Sequence, residues 1–338
     1  MPNFSLTRVE SLFLQMESTL GIIPNTSGTA TLAGSNACRI LPGSSFNPNV
    51  ALIVRQDKTG SRSLTVGVPG RKFANWSLSM SMAGSGAAGT APDCDPILQC
   101  AFGAAPTIVA ATSVTYNLSD SILSMDMWDF RDPSTLQQRV ISGAVCSEIT
   151  FEFGGDIGIM SMSGEGIWCL ESGAFSGYDA TQKGGLTTFP VKPATPITNG
   201  LAVVGFVGSV SLDGTTYTTL RTGRISMKPS NVIVKDQFGS FYGSITEGDF
   251  REMSVSFSVY DDDSSTLTTL KSKAVAKTPV NVILQIGNVA GNIWTITLRN
   301  LQLTYTYNEA GRRYAVDFTG TAYATTGTSK DEITLALT

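Results

Sequence analysis

Six residues, GSGAAG at 84–89, have the GxGxxG spacing with which a dinucleotide fold brings a pyrophosphate onto backbone N–H groups and a helix N-terminus. The stretch follows a strand-like run and precedes a helix-like one, the context such a fingerprint needs. Three features speak against it. The preceding run, NWSLSMSM at 75–82, alternates small polar residues with Trp76, Leu78, Met80 and Met82, whereas a parallel strand buried on both faces is nearly all apolar. Pro92 delays the helix past the third glycine, and no acidic residue between 105 and 118 is available to hold a ribose. The stretch reads as a flexible glycine-rich loop.

Two acidic clusters offer carboxylates for a hard cation or for acid–base work: Asp126, Asp129 and Asp132 in SMDMWDFRD, and Asp261, Asp262 and Asp263 in YDDDSS. Neither has the spacing of a calcium loop, and both end strand-like runs where aspartate favours turns, so solvated turns are expected. The chain contains no histidine, which removes Ser-His and Cys-His nucleophile pairs and most zinc or iron sites. No catalytic residue, metal ligand or cofactor is expected. The cysteines, Cys38, Cys94, Cys100, Cys146 and Cys169, are odd in number and lack paired metal spacing, which suits reduced thiols in a cytoplasm. Met80, Met82, Met160 and Met162 read as core, with Trp76 and Trp168 beside them.

With no reaction in view, the elements carry the meaning. The chain has 338 residues, 42% of them hydrophobic and 15% charged, so it is globular and long enough for two domains. A net charge of -4 gives no basic footprint for gripping phosphates. The N-terminus, MPNFSLTRVESLFLQMEST, lacks the pattern of a signal peptide, and no run approaches the roughly 18 apolar residues of a spanning helix. Folding in a cytoplasm, away from any membrane, is expected.

Leu6, Val9, Phe13 and Met16 recur at three to four residues, with Thr7 and Glu10 as a capping box, so the spacing predicts a helix over 6–16. A Gly/Ser/Thr/Asn-rich extended arm follows, making 1–47 an N-terminal helix and arm. From about residue 48 the period becomes two, and strands are predicted through 48–177 and again through 201–326. Between them, 178–200 carries three prolines and three glycines and reads as a linker. The tail 327–338 reads as an extra strand or an arm onto a neighbour. One short helix is predicted in each half, at 92–102 and 264–274.

The halves match. KFANWSLSMSM (72–82) aligns with DFREMSVSFSV (249–259), ITFEF (149–153) with LTYTY (303–307), and MSMSGEGIW (160–168) with VDFTGTAYA (316–324), in the same order. A glycine stands in both copies of the last marker, at 164 and 320. Such collinear markers point to an internal duplication.

If the large apolar side of each strand packs inward, the opposite side carries Ser77, Ser79, Ser81, Thr150, Glu152, Ser161, Ser163 and Glu165 in the first half. In the second it carries Ser254, Ser256, Ser258, Thr304, Thr306, Asp317, Thr319 and Thr321. None is Lys or Arg, although cations commonly protect exposed strands. A small, hydroxylated, mildly acidic face suits a wall past which a polyanion moves without sticking, since every fixed cation adds a phosphate contact. The plainer alternative is a Ser/Thr-rich outer sheet face.

At this point the residues suggest a family. LTRVESLFLQMESTLGIIPNTSG, the block SLSMSMAGSGAAGTAPDCDPILQCAFG and the strand end SGEGIW resemble the major tail tube proteins of long-tailed, siphovirus-like bacteriophages, in the group whose tube domain is duplicated. The resemblance implies a mainly β chain: two tandem tail-tube-like β-sandwich or partial-barrel domains, each with one short flanking α-helix. It implies a structural virion protein, not an enzyme, that stacks as rings around a lumen conducting DNA during ejection. A duplicated chain closes such a ring as a homotrimer with pseudo-hexameric symmetry. The implied partners are further copies of itself and the tail terminator, tape measure and baseplate proteins, with DNA passing unbound; the implied location is the virion tail, assembled in the host bacterial cytoplasm. The residues named above would line the lumen, and the loop with Gly84, Gly86, Gly89 and Asp93 would contact the next ring. The alternatives are another β-rich virion module, of a baseplate or decoration kind, and a secreted β enzyme.

Overall fold

The computed structural model describes residues 10–55, 63, 66–131, 138–194, 200–217 and 220–338. It is mainly β, as the two-residue period requires. In β6 (Val68–Ser81), Ala74, Trp76, Leu78 and Met80 are buried while Asn75, Ser77, Ser79 and Ser81 stay partly open. A strand of this kind needs partners that present their own apolar sides to the same layer.

The main sheet has eight antiparallel strands. Its order is β5 (Ser45–Ile53), β6, β11 (Ile159–Gly166), β10 (Arg139–Phe153), β15 (Leu220–Lys228), β18 (Glu252–Tyr260), β21 (Arg313–Thr321) and β20 (Trp294–Ala310). The last four strands follow the connectivity of the first four. β15 stands where β5 does, β18 where β6 does, β21 where β11 does and β20 where β10 does. All three pairs of matched sequence markers fall on strands in equivalent places. The β10–β15 ladder is the seam between the blocks, with Ile149 opposite Met227 and Thr150 opposite Ser226.

β10 and β20 are long enough for their N-terminal halves to enter a second layer. There β4 (Ala37–Cys38), β1 (Glu10–Met16), β9 (Met125–Arg131), β10 and β12 (Trp168–Glu171) form one sheet. β14 (Thr215–Tyr217), β13 (Ser209–Leu212), β19 (Val280–Ile286), β20, β22 (Ile333–Leu337), β8 (Ser113–Asn117) and β7 (Thr107–Val109) form another. Two small hairpins, β2 (Asn25–Thr26) with β3 (Thr29–Ala30) and β16 (Val232–Ile233) with β17 (Thr246–Glu247), lie outside these layers.

Both expected helices form. In α1 (Asp95–Phe102), Pro96 occupies the first turn and Gly103, at φ 77°, ends the helix with its N–H on the Gln99 carbonyl at 2.8 Å. In α2 (Ser265–Ala276), the Ser264 hydroxyl accepts the Leu267 N–H at 3.2 Å, and Lys277, at φ 55°, closes the other end. α1 packs on β10 and α2 on β20, again in matching places. Ile97, Leu98 and Phe102 from α1 and Leu267 and Leu270 from α2 join the methionine-rich core, including Met80, Met82, Met160 and Met162.

Several expectations are corrected. The predicted N-terminal helix is strand β1 over Glu10–Met16, paired along its length with β9; Leu6, Thr7 and Val9 lie outside the described residues. Leu12, Phe13 and Leu14 are buried in succession because β1 is covered on both faces, a pattern that spacing alone cannot tell from a helix. The first part of the expected linker is packed: Leu186 is buried, and Phe189 meets Trp128 edge-on at 5.6 Å. The C-terminal tail supplies β22, which pairs with β20 and with β8 from the first half, so it fastens the halves together. Among the described residues, no helix is long and apolar enough to cross a membrane.

Candidate functional site: a hydroxyl-bearing sheet face with two open edges

Cross-strand partners share a face, and every second residue does too. On these grounds the register puts all the expected wall residues on one side of the main sheet. Ser79, Ser161, Thr150, Ser226, Ser254 and Thr321 form one row across six strands. Glu152, Ser256, Thr319 and Thr304 lie in the next row, followed by Ser258, Asp317 and Thr306. Ser77 and Ser163 are paired on the other side of Ser79, Ser81 lies beyond it, and Glu165 faces Asn75. Thr150 is buried within this face, while Ser254, Thr304, Thr306, Thr319 and Thr321 are exposed.

The face is not free of cations. β15 adds Arg224, opposite both Glu152 and Ser256, and Lys228, opposite Glu252. The Arg224 guanidinium lies 3.5 Å from Glu152, and the Lys228 ammonium 4.0 Å from Glu252. A register shift between Leu220 and Thr222 brings Arg221 to Ser258, whose hydroxyl accepts from it at 3.4 Å. Glu165 is held by Lys235. The alternation in LRTGRISMK already marked Arg224 and Lys228 as polar-side residues. What it lacked was a counterpart strand, because β5 carries no matching residues. Arg224 and Lys228 each meet a carboxylate, so neither stands as a bare phosphate anchor.

The loop after β6 is tethered within the chain. Gly84 is buried, and a Cβ there would lie 1.9 Å from the Gly291 carbonyl; the Gly86 N–H donates to that carbonyl at 3.1 Å. Asp93 accepts from Arg39 at 2.9 Å, and Gly89, at φ 72°, packs its backbone against Ala111. Gly86, Ala87 and Thr90 remain exposed.

The first acidic cluster is not a solvated turn. Asp126 and Asp129 lie on β9 at 0% and 1% exposure; Asp132 lies outside the described residues. Asp129 takes Arg139 at 2.8 Å and Arg131 at 3.0 Å. Glu10, at the edge of this network, is pushed up to about 7, first by burial and then by Asp129. Burial, and next the charge of Glu17, hold the Asp126 carboxyl well above the ordinary range. Glu17 accepts from the N–H groups of Gly21 at 2.8 Å and Gly143 at 2.7 Å and from the Ser124 hydroxyl at 2.6 Å. Both Asp126 carboxyl oxygens are buried without a hydrogen-bond partner, which favours the neutral acid there.

A raised folded value means the contribution to stability is present at acid pH and is lost as pH rises through that value. Asp126→Asn puts a side chain of the same shape there that stays neutral at every pH. It is therefore expected to gain stability over wild type with rising pH, by about 1–2 kcal/mol at pH 8. Urea denaturation at pH 5 and pH 8 checks this; an unchanged difference between the two proteins across that range contradicts it.

The second cluster is as expected: Asp261 pairs with Lys271 at 2.6 Å and Asp262 accepts from Ser264, both at the start of α2. Among the described residues, no three His, Cys, Asp or Glu side chains gather as a metal site. The five cysteines are buried and unpaired with one another.

The sheet ends where its edges are open. Among the described residues, β5 pairs on one side only, with β6, and the C-terminal half of β20 on one side only, with β21. Among the described residues no ladder joins these two edges. Because the strands alternate in direction, the β5–β6 and β15–β18 connections leave the sheet at the same end. That end exposes Leu52, Ile53, Val54, Val66, Phe238, Phe241 and Phe250. The loop after β6 and the β10–β11 and β20–β21 turns lie at the opposite end.

Compared with models of protein families, the chain matches none. A comparison with curated proteins likewise finds no significant match.

Proposed function

We propose that the chain is a structural subunit that closes head-to-tail into a ring and stacks into a tube, as in the tail of a long-tailed bacteriophage, with DNA passing through the bore. The observation that carries this reading is the repeated block. The β10–β15 seam inside the chain is a worked example of the joint that β20 of one copy makes with β5 of the next. A head-to-tail joint that closes leaves no edge for further growth within the ring.

Size favours three copies. The circumference of a closed sheet is roughly its strand number times 4.8 Å, divided by the cosine of a tilt of up to about 40°. With about 5 Å of side chain on each wall, two copies leave a bore of about 14–22 Å and three copies about 27–38 Å. A duplex about 20 Å across fits the two-copy bore only at the steepest tilt and with almost no clearance, whereas the three-copy bore passes it over the whole range. Three copies give six blocks, hence threefold rings with pseudo-sixfold symmetry. The hydroxyl-bearing face then lines the bore, with Arg224 and Lys228 each beside a carboxylate and Arg221 on the Ser258 hydroxyl, and no enzymatic step is required of it.

Stacking follows from the two ends. The apolar residues of the β5–β6 and β15–β18 connections are suited to rest on the opposite end of the next ring, where Gly86, Ala87 and Thr90 are exposed. Tail terminator, tape measure and baseplate proteins are the further partners of such a tube.

The seam also predicts a register. Thr304 stands to β20 as Thr150 does to β10, and Ser45 to β5 as Ser226 does to β15, so Ser45 and Thr304 face each other between copies. A chain with Ser45→Cys and Thr304→Cys is expected to give covalent trimers after mild oxidation, read on a non-reducing gel, from particles seen as hollow filaments by negative stain. Filaments without the cross-link reject this register. Discrete discs or monomers at all concentrations favour a baseplate or decoration module over a tube.

A further inference from the structure

Both open edges of the main sheet are held by a cationic side chain of the same subunit. The Arg139 guanidinium donates to the Phe46 carbonyl at 2.9 Å, and the Lys277 ammonium donates to the Leu303 carbonyl at 3.1 Å.

Backbone parity shows that both carbonyls point away from the sheet. The Ser79 carbonyl accepts from Leu41 on the β5 side at 2.7 Å, so Ser77 also turns its backbone groups toward β5. Ser45, opposite Ser77, answers them, and Phe46 is left facing outward. At the other edge, the Ala322 N–H donates to Met253 at 3.1 Å, which turns Val255 toward β21. Gly320, opposite Val255, answers it; Thr319 therefore faces β20 and Thr304 faces Thr319, which leaves Leu303 outward. On the β5 edge the next outward position is Pro48, which has no N–H to offer.

These two carbonyls are not arbitrary points on the edges. In the internal seam the outward residues Ile149 and Met227 are paired. Leu303 is the equivalent of Ile149, and Phe46 the equivalent of Met227. Phe46 and Leu303 would thus meet at the joint between two copies, where each carbonyl would take a strand N–H of the other subunit.

We propose that Arg139 and Lys277 are edge guards. Each occupies the carbonyl that a second copy of this chain must take, which keeps the free subunit from pairing its edges prematurely and raises the concentration at which rings form. The proposal rests on the head-to-tail reading above and deepens it by naming what competes with closure. Cations on edge strands are a general defence against unwanted pairing; here they sit at a register position that wanted pairing also uses.

Arg139 also neutralises the buried Asp129, so its removal tests stability as well as guarding. Lys277 is exposed, and asparagine tolerates its left-handed conformation, so Lys277→Asn is the cleaner variant. Its critical concentration for assembly, read by light scattering and sedimentation, is expected to fall about threefold relative to wild type, the size of a solvent-exposed charged contact. An equal or higher critical concentration in assembling Lys277→Asn protein overturns the guard while leaving the seam standing. Failure of both proteins to assemble at any concentration rejects the seam and the guard together.

Discussion

Tyr307→Pro is expected to give a folded monomer that no longer forms rings or filaments. Tyr307 lies on the outer edge of β20 with the parity of Leu303, so its N–H faces outward, and its side chain is 60% exposed. An edge strand accepts proline at such a position because no partner inside the chain uses that N–H. The loss within the subunit is then limited to the contact of the Lys271 ammonium over the ring at 5.0 Å and to packing on Tyr305, about 0.5–1 kcal/mol. Between subunits the same change removes the N–H that the seam's pairing of Phe153 with Gly223 sets opposite Pro42, just ahead of β5, and puts a pyrrolidine ring against the neighbour there, at about 1–3 kcal/mol per joint. The proposed ring would contain three such joints, so assembly at wild-type concentrations should be abolished. Circular dichroism, size exclusion and negative stain separate the two effects. Wild-type filaments from this variant would place the joint elsewhere on the molecule.

Gly164→Ala is expected to be the most damaging small substitution in the first block, at about 3–5 kcal/mol of folding stability. The reason is space: a Cβ on Gly164 would lie 1.9 Å from the Val145 carbonyl and 2.7 Å from the Trp76 ring. Neither yields cheaply, since Val145 borders the irregularity between Cys146 and Glu148 where β10 passes from one sheet to the other. Trp76 itself is buried at the centre of the core. Gly320, the matching glycine in the second block, would place its Cβ 2.5 Å from the Gln302 carbonyl and 2.8 Å from Leu303. The Leu303 contact is with the far end of a flexible side chain, and the Gln302 carbonyl would stand farther off than the Val145 carbonyl does at Gly164, so Gly320→Ala should cost less. Urea denaturation of the two variants gives the order directly. A Gly164→Ala midpoint within about 0.5 kcal/mol of wild type would mean that the two strands part easily there, against the packing described.

These glycines show how much of the fold could be read from residues alone. Position 164 matched 320 because both copies need backbone-to-backbone approach where a long strand changes sheets, and no other residue type is as small. Likewise the serine ribbons on β6 and β18 declared their two faces, since a pleat sends alternate side chains to opposite sides whatever the rest of the chain does. The two helices were legible from a proline at one start, a serine cap at the other and an apolar stripe in each.

The sequence by itself therefore determined a mainly β chain, the burial side of each ribbon, two short helices, and a core rich in methionine and tryptophan. All of these follow from local geometry. Only the tertiary structure decided that ESLFLQM is a strand, because Leu12, Phe13 and Leu14 are buried by neighbours more than a hundred residues away in the chain. It alone made the acidic cluster on β9 a buried one, set Arg224 and Lys228 among the serines, and tied the C-terminal strand to β8. Among the described residues it also left one edge of β5 and one edge of the C-terminal half of β20 open, on opposite sides of one sheet. Strand order is a property of long-range pairing, and hydrogen bonds between distant segments leave no period in the residues that make them.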